Sequence, residues 1–181
     1  MLKIQNNILF INNRHQNTQF KPHFHNTYSF ALIINGECEV EFQNKIIKYK
    51  KSDFRIINPF EIHYVKSGIW EYKSIVLDEE FVNEITEEIV NKKNIIFKNK
   101  INSQKLNKLF LDVYENQEEN IYFFFEELLQ FSKNEIELPK LNLKKSLEYI
   151  EENFTQKIKL ETLSKIENIS KYHFLRLFKI N

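Results

Sequence analysis

The spacing of apolar residues changes character along the chain. In the first part it is short and alternating. Residues 28–34 form a dense apolar run, and Asn35-Gly36 then reads as a tight hairpin turn. Residues 37–42 alternate, with Cys38, Val40 and Phe42 on one side and Glu37, Glu39 and Glu41 on the other, the pattern of a half-buried strand. Gln43-Asn44 turns into a strand over residues 45–49. Ser52-Asp53 turns into another over Phe54–Ile57, which Asn58-Pro59 ends, and residues 70–77 supply one more. Short strands at this spacing predict an antiparallel sandwich or barrel.

After Asp78 the period lengthens to that of helices. Asp78 is placed to cap a helix running to about Val90, with Glu79 and Glu80 at its positive end. Residues 91–100 read as a polar loop around a short extended piece at 95–97. Ser103 begins a helix whose Leu106, Leu109, Phe110, Val113 and Tyr114 share one face. A third helix over residues 119–133 carries Ile121, Phe124, Phe125, Leu128, Leu129 and Phe131, and Tyr122 and Phe123 widen its apolar surface, so it is predicted to be buried or paired. Pro139 breaks the pattern and marks a domain boundary. Leu143, Leu147, Ile150 and Phe154 then form a further one-sided helix.

The last stretch, residues 159–181, predicts two short helices joined by a tight corner. Leu160, Leu163 and Ile166 fall on one side of the first. The pattern breaks at Glu167-Asn168-Ile169, and Ser170 can cap the second helix. There Phe174, Leu177 and Phe178 point inward, while Tyr172, Arg176 and Lys179 share another face that suits base edges and phosphates. Periodicity alone fits equally a helix-turn-helix or a helical hairpin with a solvated basic face.

Composition narrows the setting. The chain has 181 residues with 42% hydrophobic and 14% aromatic content, including 17 Phe and 8 Tyr, enough for a core built on large rings. A net charge of +1 excludes a general polyanion binder, but residues 140–181 hold nine Lys/Arg against five Asp/Glu, which places the basic excess beside the two terminal helices. One cysteine, Cys38, allows no internal disulfide and fits a reducing compartment. No apolar run has the length of a signal peptide or a membrane span, so a cytoplasmic protein is expected.

The run S-x-x-x-[LF]-x-R-x-F-K matches residues 170–179. Together with Tyr149-Ile150, Ile158, Leu160 and Leu163-Ser164 it resembles the first helix-turn-helix of the AraC/XylS family of bacterial transcription regulators. Ser164 replaces the usual alanine, Lys159 stands at the cap, and Leu175 occupies the polar base-reading position. Nearer the N-terminus, His23-x-His25, Ser29 and Gly36, then Pro59 and His63, resemble the two cupin motifs of the family's sensor domain.

The resemblance implies an α+β chain: a cupin-like antiparallel β-barrel sensor over 1–77, a helical dimerisation and linker region of the same domain over 78–138, and the first helix-turn-helix of a truncated DNA-binding domain over 139–181. It implies a homodimer and an N-terminal portion of a longer regulator that binds DNA and a small-molecule effector. Lys171, His173 and Lys179 would hold phosphates; Tyr172 and Arg176 would read bases. His23, His25, Tyr28, Phe30, His63, Tyr64 and Trp70 are the candidate pocket residues. Two alternatives stay open. One is a metal-dependent cupin enzyme, a dioxygenase or isomerase, built on the three histidines. The other is a ligand-independent dimerisation module. Metal-binding cupins carry glutamate where Ser29 stands, and no nucleophile–base pair or phosphate loop occurs, so no metal, cofactor or catalytic residue is assigned.

Overall fold

The computed structural model describes residues 2–5, 8–16, 20–43, 45–115, 120–134, 143–169, 171, 174, 175 and 178. Seven strands, β1 (Leu2–Gln5), β2 (Ile8–Gln16), β3 (Thr27–Phe42), β4 (Lys45–Lys50), β5 (Phe54–Ile57), β6 (His63–Asp78) and β7 (Lys100–Ile101), form one sheet in the order β1-β2-β6-β3-β5-β7, with β4 also on β3. Every pairing is antiparallel. The architecture is cupin-like, but the sheet is not the closed barrel expected from strand spacing. The path ends at β1 and β7, and β7 is a two-residue strand whose flanking Asn99 and Asn102 turn their amides to Glu61, Ile56 and Asp53. So short a strand does not carry the ladder round to β1.

The spine is the β3–β6 pair, 16 residues each. Asn35-Gly36 does not turn the chain. It lies inside β3, where the register slips between Ile33 and Asn35, a β-bulge. Gly36 has φ +74°, and a Cβ there would stand 2.0 Å from the Ile69 carbonyl oxygen of β6. The glycine serves a close strand approach, not a hairpin.

Alternation along the strands divides two apolar layers. On one side Phe10, Tyr28, Phe30, Leu32, Phe54, Ile56, Ile75 and Leu77 pack with the helices α1 (Glu79–Val90), α2 (Gln104–Tyr114) and α3 (Ile121–Leu129). Phe30 meets Phe124 and Phe125 of α3 at 5.7 Å, and Phe54 meets Phe110 of α2 at 5.0 Å, all with rings edge to face. On the other side Ile33, Cys38, Val40, Phe42, Tyr49, Ile57, Val65 and Trp70 form a second cluster.

Helix starts follow the sequence unevenly. Ser103 caps α2, its Oγ accepting from the Leu106 N–H at 3.2 Å. Asp78 stands at the N-cap of α1 but makes no side-chain cap bond. The broad apolar surface of α3 is used within the chain: Ile121, Phe124, Phe125, Leu128 and Leu129 are buried, and the Tyr122 hydroxyl donates to Glu88 at 2.7 Å. None of the described helices is long and apolar enough to cross a membrane.

Past residues 135–142, where the Pro139 boundary lies outside the described residues, α4 (Lys144–Asn153) and α5 (Leu160–Ile166) enclose a small third cluster of Leu143, Leu163 and Phe174. Ser164 is 4% exposed and its hydroxyl donates to the Glu161 carbonyl, as a small residue at a helix contact does. Asn168 takes a left-handed φ of 56° and the Ile169 N–H returns to the Ser164 carbonyl, forming the corner. Residues 171, 174, 175 and 178 are helical. Phe154 was expected on the apolar face of α4, but it is the C-cap residue, past the last turn, and is 75% exposed. Phe178, also expected inward, is 46% exposed and stacks on buried Phe174 at 5.7 Å. Ser170 and Leu177 lie outside the described residues.

Candidate functional site

His23 and His25 do not sit on a regular strand. The segment 20–25 is instead laced to the start of β6 and the loop before it. Phe20 N–H donates to the Val65 carbonyl, His23 and His63 exchange backbone bonds at 3.1 and 3.0 Å, and Phe60 N–H reaches the His25 carbonyl at 2.8 Å. This brings the three imidazoles together. Ring centroids are 4.4 Å apart for His23 and His63, 5.1 Å for His25 and His63, and 6.5 Å for His23 and His25.

Each ring is oriented the same way. Nδ1–H of His23 donates to the Lys21 carbonyl, that of His25 to the Thr27 carbonyl and that of His63 to the Glu61 carbonyl, all at 2.8 Å. A carbonyl oxygen only accepts, so Nδ1 must carry the proton, and in the neutral ring the Nε2 lone pair is the remaining acceptor. Burial pushes the pKa of His63 down to about 4 and that of His25 below the ordinary value, with neighbouring histidines and Arg55 adding to the shift. Among the described residues no three His, Cys, Asp or Glu side chains are arranged to hold a metal ion.

The histidines line one end of a cavity of about 290 Å³. Its walls come from the sheet face turned away from the helices: Ile11 and His15 of β2, Thr27 and Ser29 of β3, Arg55 and Ile57 of β5, and Val65, Trp70, Tyr72 and Val76 of β6, with Phe20 at the edge. His15 stacks on Tyr72 at 5.7 Å and lies 4.8 Å from Trp70. Ser29 Oγ faces Ser74 Oγ at 3.4 Å. A wider groove of about 760 Å³ runs along the acidic side of α1 and contains none of these groups.

Of the seven expected pocket residues, His23, His25, His63 and Trp70 line the cavity. Tyr28, Phe30 and Tyr64 do not. Tyr28 and Phe30 neighbour Ser29 in sequence and so project to the opposite face, where they pack on the helices. Tyr28 donates its hydroxyl to the Ile95 carbonyl at 2.8 Å. Tyr64 follows cavity-facing His63 and is turned outward by the same alternation. The other lining residues are not among the expected ones, and two of them, Arg55 and His15, are basic. Arg55 sits inside an apolar strand, and His15 in the polar stretch Asn12-Asn13-Arg14-His15; each shares its strand parity with a cavity neighbour, Ile57 and Ile11.

At the other end of the chain, Lys171 is exposed on the helical segment whose Phe174 is buried. Tyr172, His173, Arg176 and Lys179, the other residues expected to meet DNA, lie outside the described residues.

Comparison with known proteins places this geometry. The family described as the AraC-like ligand binding domain matches residues 6–129. An uncharacterized HTH-type transcriptional regulator, YbfI of Bacillus subtilis (strain 168), is 22% identical over 180 residues that cover 88% of this chain and 65% of the relative. The chain thus spans 65% of that relative's length. Among solved structures, the AraC-like transcriptional activator CuxR superposes with a TM-score of 0.55 over 96% of this chain and 70% of its own, at 10% identity, a likeness of fold. A cupin superfamily protein from Desulfitobacterium hafniense gives a TM-score of 0.40 at 17% identity, covering 43% of this chain and 74% of its own. With more than half of its length matched, and with a cavity on the inner face of its sheet, the chain belongs to the AraC-like ligand-binding domain family.

Proposed function

We propose that this chain is the sensor portion and first DNA-contacting unit of a transcription regulator, with a small-molecule effector bound in the cavity of the sheet. The observation that carries the reading is the cavity itself. About 290 Å³ of space lined by apolar walls and a few convergent polar groups, Arg55 and four histidines among them, is the size and character of a small-ligand site. A second feature supports the DNA side. The corner at Asn168 follows α5, and buried Phe174 then fixes one face of the next helical segment, which leaves the opposite face for contact.

In this reading Lys171, His173 and Lys179 hold phosphates, and Tyr172 and Arg176 read base edges. The homodimer implied by the family resemblance is part of the same proposal. Its contact would use surface other than the buried side of α3. No catalytic role is proposed.

The test is a gel-shift titration of the protein on its operator. Arg176→Ala is expected to lower affinity by the ~1–3 kcal/mol of a bidentate base contact, roughly five- to 150-fold, and to relax sequence preference. Unchanged affinity and preference would remove Arg176 from the reading head.

A further inference from the structure

The chemistry of the effector can be narrowed by one buried residue. Arg55 is 7% exposed, and its guanidinium carbon lies 5.4 Å from the centroid of the Tyr72 ring. Buried cations are normally paired. Among the described residues no carboxylate forms an ion pair with Arg55 and no side chain or backbone group hydrogen-bonds its guanidinium. The two nearby acids are already engaged. Asp53 holds Lys100 at 2.8 Å and accepts from the Lys50 N–H, and Glu61 accepts from Asn99 and Asn58. Arg55 Nε is therefore a buried donor without an acceptor. Trp70 Nε1 is another, on a residue 2% exposed in the same cavity wall. Two orphaned donors, one of them on a cationic group, are costly and leave this wall of the cavity short of an acceptor.

Resting on the effector-pocket reading above, we propose that the cavity takes a small organic monocarboxylate, with its carboxylate on Arg55. A carboxylate matches the planar fork of a guanidinium. Ile57, Val65 and Val76 line the apolar body, and the Trp70 N–H is a second donor on the wall. A single negative charge is specified because Arg55 is the one permanent cation in the lining. His25 and His63 are held neutral by burial and by Arg55, and their Nε2 lone pairs accept from hydroxyl groups and do not balance a second negative charge.

Trp70 is the chain's one tryptophan, so its emission reports on the cavity directly. The experiment titrates the purified chain with four non-fluorescent probes of one shape: cyclohexanecarboxylate, cyclohexanecarboxamide, cyclohexanemethanol and cyclohexyl phosphate. The carboxylate is expected to change Trp70 emission saturably and to bind about tenfold or more tighter than the amide and the alcohol, as the loss of a charge-assisted bond implies. Arg55→Met is expected to abolish that preference. Without ligand, Arg55→Met is expected to unfold at the same urea concentration as the unsubstituted chain or higher, because it removes an unpaired buried charge, and added carboxylate should then stabilise only the unsubstituted chain. Tighter binding of the amide, the alcohol or the phosphate overturns the monocarboxylate proposal and leaves the pocket reading intact, as does a lower urea midpoint for ligand-free Arg55→Met. If none of the four probes enters, the pocket reading falls with it.

Discussion

Gly36→Ala is a demanding test of the β3–β6 spine on which the cavity is built. The glycine pairs with Trp70 across the ladder. A Cβ at position 36 would lie 2.0 Å from the Ile69 carbonyl oxygen, 2.9 Å from its carbon and 3.1 Å from the Trp70 Cα. All three atoms are backbone, so no side chain can rotate out of the way. Two penalties add. Placing an L-residue in the left-handed region costs about 1–2 kcal/mol. Forcing the strands apart costs a further ~1–3 kcal/mol, by analogy with overpacked cores. Together they amount to ~2–5 kcal/mol, a large part of the ~5–15 kcal/mol that holds a domain folded. At ~2–4 °C per kcal/mol for a chain of this size, the melting midpoint should fall by about 4–20 °C. The assay is thermal and urea denaturation, each followed by Trp70 emission. Gly36→Asn separates the two penalties, because asparagine tolerates a positive φ but brings the same Cβ. If the carbonyl clash dominates, the Asn and Ala variants should be destabilised alike, within ~0.5 kcal/mol. An Ala variant within ~0.5 kcal/mol of the unsubstituted chain would refute the bulge and with it the register that puts Trp70 on the cavity wall.

Two further outcomes follow from buried polar groups. His63 has a folded-state pKa of about 4, below the ordinary 6.5, so between those values the unfolded chain binds more protons and stability is lost as pH falls. Unfolding free energies from urea titrations at pH 7 and near pH 4 should differ by of order 2 kcal/mol more in the unsubstituted chain than in His63→Gln, and equal pH slopes would contradict the assignment. In the C-terminal cluster, Glu167 accepts from both the backbone N–H and the hydroxyl of Ser146 at 2.7 Å, a cap on the first turn of α4 supplied by the corner after α5. Glu167→Gln should weaken α4 by ~1–2 kcal/mol, read as faster amide exchange at residues 146–150; unchanged exchange would show that the carboxylate does not hold that helix.

Local signals in the sequence were reliable where one element decides its own structure. β5 matches the expected Phe54–Ile57, α1 ends at Val90, and Ser103 caps α2. The failures arose where tertiary pairing overrides local chemistry. Asn35-Gly36 has the composition of a turn, but β6 runs alongside and holds the chain extended through it. Gly68, the other glycine, serves the same ladder, with φ +133° opposite Cys38. Strand parity alone keeps Tyr28, Phe30 and Tyr64 off the cavity wall. Ser29 cannot face a cavity together with Tyr28 and Phe30, nor His63 together with Tyr64, because strand neighbours point to opposite faces. The same parity would have drawn attention to Arg55, a charge embedded in a strand buried on both sides. What no local pattern carries is that Arg55 has no ion-pair partner among the described residues, since that depends on Asp53 turning to Lys100, far along the chain.

The alternation that separates cavity from helices also ties them together. Arg55 stands between Phe54 and Ile56, and both of those residues belong to the core shared with α1, α2 and α3. Phe54 touches Phe110 of α2 at 5.0 Å and Phe124 of α3 at 5.9 Å. On β3, Ser29 lines the cavity while Tyr28 reaches the Ile95 carbonyl beyond α1 and Phe30 stacks edge-on with α3. A ligand that repositions Arg55 or Ser29 therefore acts on backbone whose other face seats the helices. Because packed rings leave little free volume, that backbone cannot shift without the helices answering. An effector can bias the helices only through contacts that differ between two arrangements of this layer, and the residues one step either side of Arg55 and Ser29 are where such a difference has to be expressed.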